Sequence, residues 1–181
     1  LEDRRRRLDA FRPFDAEALR RLDRVFQPWF IYSSNAIEGN TLSLADTIGV
    51  ILEQKLPAGK SETEYLEVKG QQDAWAYLHQ AAANRYPVNE KLIREFHHLL
   101  TVRLDHDQYG PGRYKTRDNQ VLLPDGSTFP YVPHHEVPQA VAELARWLGE
   151  EARGLHPVER AAQFHYRFIL IHPFLDGNGR T

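Results

Sequence analysis

Toward the end of the 181-residue chain, His172, Asp176 and Arg180 cluster around the tripeptide Gly177-Asn178-Gly179. An imidazole with an ordinary pKa of about 6.5 can accept a proton near neutral pH. A carboxylate such as Asp176 is a hard oxygen ligand suited to Mg²⁺, the ion that accompanies nucleotide phosphates. The Arg180 fork matches phosphate oxygens. Gly177 and Gly179 are expected to turn the backbone through positive φ and let it approach a ligand closely. A helix beginning at Asn178 would aim free N–H groups and the positive end of its dipole at that ligand, which favours phosphate. A base, a metal ligand, an anion cradle and a cation in so short a stretch spell phosphate-bond chemistry. The bland alternative, a Gly-Asn-Gly helix cap, needs neither the histidine nor the arginine.

The elements that must position these residues follow from periodicity and punctuation. A helix-period run from Val158 to Ile171 opens at His156-Pro157 and meets His172-Pro173. Proline disfavours a helical conformation at the residue before it, so the helix should end there and leave His172 at a helix-to-loop corner. His165, on nearly the same face, is expected in the core. Glu136 to Glu151 reads as an amphipathic helix with Val137, Val141, Leu144 and Trp147 inward, and Asn89 caps another that buries Leu92, Ile93, Phe96, Leu99 and Leu100. His97 and His98 in that helix point about 100° apart, so they cannot share a metal and read as structural. Between Asp105 and His135 the helical pattern fails, and Val121-Leu122-Leu123 and Phe129-Pro130-Tyr131 flank a Pro-Asp-Gly-Ser turn as a small β-hairpin.

In the first half, Asp15 caps a helix with Leu19, Leu22, Val25, Phe26, Phe30 and Ile31 on its apolar side. Pro28 either kinks it or starts a second helix. Ser43 caps a helix through Gln54 with Leu44, Ile48, Ile51 and Leu52 inward, and Ser61 with Glu64 is a capping box opening a helix to about Asn84 with Trp75 and Leu78 in its stripe. Arg4 to Arg7 read as a solvated, frayed start. Glu38 is out of place, because an acid at a helix C-terminus opposes the dipole and calls for a positive partner.

The stretch His172-Pro173-Phe174-Leu175-Asp176-Gly177-Asn178-Gly179-Arg180 resembles, at every fixed position, the HPFx(D/E)GNGR signature of Fic (Fido) domain proteins, which are mostly protein adenylyltransferases. Ser34-xxx-Glu38-Gly39 resembles that family's inhibitory (S/T)xxxE(G/N) motif. The resemblance implies an all-α, Fic-type helical domain with one small β-hairpin flap. Residues 1–83 would form N-terminal helices that include an inhibitory helix at about 28–40, and 84–181 the Fic core. The flap is placed at about 112–133, where Val121, Leu122 and Leu123 would dock the target as an added strand, and the signature loop at 172–180, all in one compact unit. It further implies His172 as catalytic base and Asp176 as metal ligand for Mg²⁺. Gly177, Asn178, Gly179 and Arg180 would bind ATP, and Ser34, Glu38 and Gly39 would inhibit. The family motif usually continues xxR, whose second arginine would fall past Thr181, and the chain lacks Met at position 1; both lead us to expect a piece of a longer product.

Composition narrows the classes. A net charge of −2 supplies no basic field for nucleic acid. No apolar run approaches a membrane span, and no signal peptide opens the chain. With no cysteine, disulfide and thiol chemistry is excluded and a reducing cytosol fits. The expected function is transfer of AMP from ATP-Mg²⁺ to a Ser, Thr or Tyr hydroxyl of a protein, autoinhibited by Glu38, with a homo-oligomer left open. The alternatives are hydrolytic removal of AMP using Glu38, or a non-catalytic nucleotide-sensing or protein-binding module.

Overall fold

The structure is a computed structural model that describes residues 1–181, the His106 side chain excepted. It is helical apart from one hairpin. In order come α1 (Glu2–Asp9), α2 (Ala16–Ile37), α3 (Leu44–Glu53), α4 (Glu62–Ala83), α5 (Glu90–Thr101), the short α6 (His106–Tyr109), β1 (Gln120–Leu122) and β2 (Thr128–Pro130). Then follow α7 (Val137–Gly149), a 3-10 turn (Glu151–Gly154) and α8 (Pro157–Ile171). The strands pair antiparallel in the register Val121 to Phe129. No helix among the described residues is long and apolar enough to cross a membrane.

Local signals set the boundaries. Asp15, Ser43, Ser61 and Asn89 each accept a hydrogen bond from a first-turn backbone N–H, and Ser43 with Asp46 and Ser61 with Glu64 form reciprocal capping boxes. Pro157 occupies the first turn of α8, where its missing N–H has no cost. Two cores result. One gathers Ile93, Val137, Val141, Leu144, Trp147, Phe168, Ile171 and Phe174; the other gathers Ile31, Leu42, Val50, Ile51 and Val68. The bridge between the two halves of the chain is the α4–α5 crossing. A Cβ on Gly70 would stand 2.9 Å from the Leu100 carbonyl carbon, so only glycine lets these backbones touch.

Several expectations need correction. Pro28 does not start a new helix; α2 is continuous from Ala16 to Ile37, with Pro28 buried inside it. The stripe on α2 is largely uncovered: Leu22 is 63% and Val25 74% exposed, and only Ile31 of the expected set is buried. Periodicity identifies an apolar face but not whether anything packs on it. On α3, Ile51 is buried with Thr47 and Val50, while Leu44, Ile48 and Leu52 face out. Leu78 and Trp75 of α4 line, with Phe30, Phe96, Phe164 and Phe168, an apolar cavity of about 450 Å³ rather than a filled core. Arg4 to Arg7 are solvated as expected, within a helix α1 that buries no residue and carries surface ion pairs such as Arg5–Glu2. His165 is exposed, because the buried stripe of α8 runs through Phe168 and Ile171 instead.

Candidate active site

α8 ends at Ile171, and His172 takes the left-handed C-cap conformation (φ 50°, ψ 62°) with its N–H bonded to the Phe168 carbonyl. The proline after it makes a further helical turn unfavourable, so the imidazole stands at the corner as expected. Its ring stacks on Tyr131, with centroids 3.9 Å apart and planes 13° apart. Nδ1 is enclosed. Burial pushes the His172 pKa below its ordinary value; the Lys115 charge acts in the same direction, and the Ile169 carbonyl and Asp176 oppose them.

The loop beyond is wired from several elements. Asn178 is 3% exposed. Its Oδ1 accepts the Phe174 N–H at 2.9 Å and its Nδ2 donates to the Phe174 carbonyl at 3.0 Å. The Asn178 side chain therefore staples the loop and is spent. Phe174 stacks on His97 at 3.7 Å with planes 3° apart. The Gly112 N–H donates to His97 Nδ1 at 3.0 Å, so that nitrogen carries no proton, and Nε2–H donates to the Asp176 carbonyl at 3.0 Å. Burial lowers the His97 pKa to about 4, which keeps this neutral tautomer. Lys115, 2% exposed, donates its N–H to the Pro173 carbonyl at 2.8 Å and its Nζ to Asn119 Oδ1 at 2.6 Å. Asn119 in turn donates to the Phe174 carbonyl at 3.3 Å, tying the stem of the hairpin to the loop.

Gly177 has the expected positive φ, 74°. Gly179 does not, which corrects that expectation; a Cβ there would meet Glu38 Oε1, the end of an exposed side chain that can swing aside, so the contact marks how close Glu38 lies to the loop without demanding glycine. The Arg180 N–H reaches the Gly177 carbonyl at 3.2 Å and the Thr181 N–H reaches it at 3.0 Å, the latter an α-helical bond. The residues form a turn opening in the helical sense at the end of the chain. Asp176 Oδ1 takes the Gly177 N–H and lies 3.5 Å from Arg180 Nη2, with the side chain 38% exposed.

Glu38, predicted to need a cation, does come to the loop. It stays open to solvent at the end of α2, yet the burial its carboxylate suffers raises its pKa. Arg180 opposes this rise, and Asp176 and Glu67 reinforce it. The ion pair goes elsewhere: Arg180 Nη1 holds Glu67 Oε1 at 2.8 Å. The Ser34 Oγ accepts from Gln71 Nε2 at 2.8 Å. Gly39 turns the chain at φ 93°. Val121, Leu122 and Leu123 sit on the exposed hairpin, away from any core. The sequence reading missed Glu67, His97's link to Asp176, Lys115, Asn119 and Tyr131. None carries a local signal, since each acts through a partner distant in sequence. Among the described residues no group of three or more His, Cys, Asp or Glu side chains is arranged to hold a metal by itself.

The helical domain thus places an imidazole at a helix end, beside a glycine loop that opens a helical turn and carries Arg180 with its side chain buried. Residues 87–181 match the model of the Fic/DOC family. The chain is 35% identical over 167 residues to Protein adenylyltransferase fic-1 of Caenorhabditis briggsae, covering 91% of this chain and 32% of that protein. It is also 35% identical over 189 residues to Protein adenylyltransferase Fic of Drosophila persimilis, covering 100% of this chain and 34% of that one. Among solved structures, a Fic domain containing signaling protein from Bacteroides thetaiotaomicron superposes with a TM-score of 0.88 at 36% identity, over 95% of this chain and 65% of that chain. Fic-1 of C. elegans gives 0.80 at 33%, over 95% and 50%. The chain belongs to the Fic/DOC family. It spans about a third of the length of the curated relatives it matches.

Proposed function

We propose that the chain is a protein adenylyltransferase that moves AMP from ATP to a Ser, Thr or Tyr hydroxyl of a protein, with His172 as the base. The observation that carries this reading is the enclosed, unprotonated-leaning imidazole at the end of α8, next to the loop that carries Arg180. With Nδ1 enclosed, Nε2 is the nitrogen that receives the hydroxyl proton. The hydroxyl oxygen attacks the α-phosphorus, a P–O bond forms, the bond to pyrophosphate breaks, and pyrophosphate leaves. A pKa below about 6.5 leaves the imidazole neutral at pH 7 and ready to accept. Arg180 and the N–H groups of Asn178 and Gly179 stabilise the charge that develops on phosphate.

Asp176 fits Mg²⁺: its side chain is 38% exposed and supplies one carboxylate. Mg²⁺ is usually held by one or two carboxylates together with phosphate oxygens and waters. When bound it would neutralise the leaving pyrophosphate. The hairpin, exposed along both strands, suits the docking of a target segment by strand addition at Val121, Leu122 and Leu123. Glu38 restrains the site in this reading, because its carboxylate lies against Gly179 and repels an incoming phosphate. Its raised pKa also favours a second reading, hydrolytic removal of AMP with Glu38 taking a proton from water.

The test is His172→Ala with α-labelled ATP, Mg²⁺ and a cell lysate. Label transfer to protein is expected to fall by about 10²–10⁴ while calorimetric ATP affinity holds. Transfer at the wild-type rate would end the proposal.

A further inference from the structure

Arg180 is surrounded by more negative charge than it can neutralise. Its side chain is 3% exposed, and it faces Glu67, 12% exposed, at 2.8 Å and Asp176 at 3.5 Å. The third carboxylate, that of Glu38, rests on the adjoining Gly179. The buried Arg180 Nε–H has no partner. A guanidinium free to optimise its own bonds would not leave a buried donor unpaired. Its pose is therefore dictated by the strong pair with Glu67, a charge-assisted bond in a site poorly reached by water.

Glu67 is itself held. Its Oε2 accepts Asn40 Nδ2 at 2.9 Å, and that amide nitrogen also donates to the Glu64 carbonyl at 3.1 Å. Asn40 Oδ1 accepts the Leu42 N–H at 3.0 Å, so the Asn40 side chain is fully engaged. Asn40 follows Glu38-Gly39 directly, and its N–H returns to the Asn35 carbonyl of α2 at 3.1 Å. A continuous line of contacts thus runs from the end of α2 through Asn40 and Glu67 to Arg180.

We propose that Glu67 is a positioning residue that occupies Arg180 in the nucleotide-free protein, and that Asn40 couples this grip to the segment carrying Glu38. The proposal rests on the reading of Arg180 as a phosphate ligand. An arriving nucleotide must share Arg180 with Glu67 or take it, so the restraint on the site is divided between two acids. Glu38 acts by lying on the loop, and Glu67 acts by neutralising the loop's cation. The sequence suggests only the first.

Calorimetry with ATP-Mg²⁺ and with adenosine, which lacks phosphate, separates the two ideas. Glu67→Gln keeps the shape and an acceptor oxygen but removes the charge. It is expected to bind ATP at least about fivefold tighter, a typical size for a coupling between sites, with adenosine unchanged. Asn40→Ala is expected to give a smaller gain, and the double variant no more than Glu67→Gln alone, since both act through one contact. Should Glu67→Gln fold poorly, as judged from its thermal midpoint, Glu67→Asp retains the charge but withdraws it from Arg180 and is expected to shift ATP affinity the same way by less. If wild type prefers ATP to adenosine and neither Glu67 variant strengthens that preference, the role of Glu67 is refuted and the nucleotide reading stands. If wild type binds ATP no better than adenosine, Arg180 holds no phosphate and both fail.

Discussion

The signature loop and the hairpin lie beside each other and are built in opposite ways. In the loop, Pro173, Phe174, Gly177 and Asn178 are buried, and its carbonyls are claimed by His97, Lys115, Asn119 and Asn178. In the hairpin every strand residue is exposed, and the bonds run within the ribbon and its Asp125–Ser127 turn. A two-stranded ribbon of this length has little stability of its own. Under the proposed function the difference separates two tasks. Attack at phosphorus tolerates little error, since a misplacement of about 1 Å can cost roughly 10²-fold in rate. A strand edge that receives varied protein segments gains from remaining open and adaptable.

If the loop is held rigid from beneath, acid should loosen it first. His97 has a folded pKa of about 4 against about 6.5 for an ordinary histidine. The folded state therefore binds fewer protons, and the stability this residue contributes is complete above about pH 6.5 and lost as pH falls toward 4, amounting to about 3 kcal/mol. Burial lowers the His172 pKa as well, so it acts in the same direction. Urea midpoints measured across that window should fall in wild type and fall less in His97→Gln, which keeps a donor and an acceptor but cannot titrate. Parallel curves would show that His97 is not the acid-sensitive support.

Asn178→Ala sharpens the same contrast. It leaves the buried Phe174 N–H without its acceptor, while the Phe174 carbonyl keeps Asn119. Unfolding free energy should drop by about 1–3 kcal/mol, and AMP transfer should fall with it. A ligand-only role for Asn178 would leave the unfolding curve in place.

Glu38→Gly tests the restraint laid on the rigid region. AMP transfer should rise about tenfold, or about 1.4 kcal/mol in barrier, in a chain that carries the second motif arginine, and less in this one. An unchanged transfer rate would return Glu38 to a plain helix end or to hydrolysis.

The smallest effect is expected at the hairpin. Leu122 is 69% exposed, so Leu122→Ser should shift stability by no more than about 0.5 kcal/mol. Transfer to protein targets should weaken, with ATP affinity unaltered. A large loss of thermal midpoint would mean that the hairpin belongs to the core.

What could be read from the sequence was what acts locally. The caps at Asp15, Ser43, Ser61 and Asn89 satisfy donors a few residues away, and the proline after His172 stops α8 at once. The signature residues were likewise contiguous. Glu67 was not legible, because its partner Arg180 is 113 residues further on and nothing beside it in α4 marks a buried ion pair. His97 was recognised as structural but not as the support of Asp176, since that carbonyl lies 79 residues further on. The α2 stripe misled because a helical period shows which side is apolar and not what covers it. Glu38 showed that it needed a cation, and the cation nearby turned out to be engaged by another acid.

The central claim, that this preorganised loop directs attack at the α-phosphorus, is tested most directly by the position of the transferred label. Purified protein with Mg²⁺ and a lysate should be given ATP labelled at the α-phosphate in one reaction and at the γ-phosphate in another, and protein-bound label counted. The account predicts stable label on protein hydroxyls from the α-labelled ATP alone, with pyrophosphate released in equal amount. Label arriving from the γ-phosphate, or from neither, would contradict it.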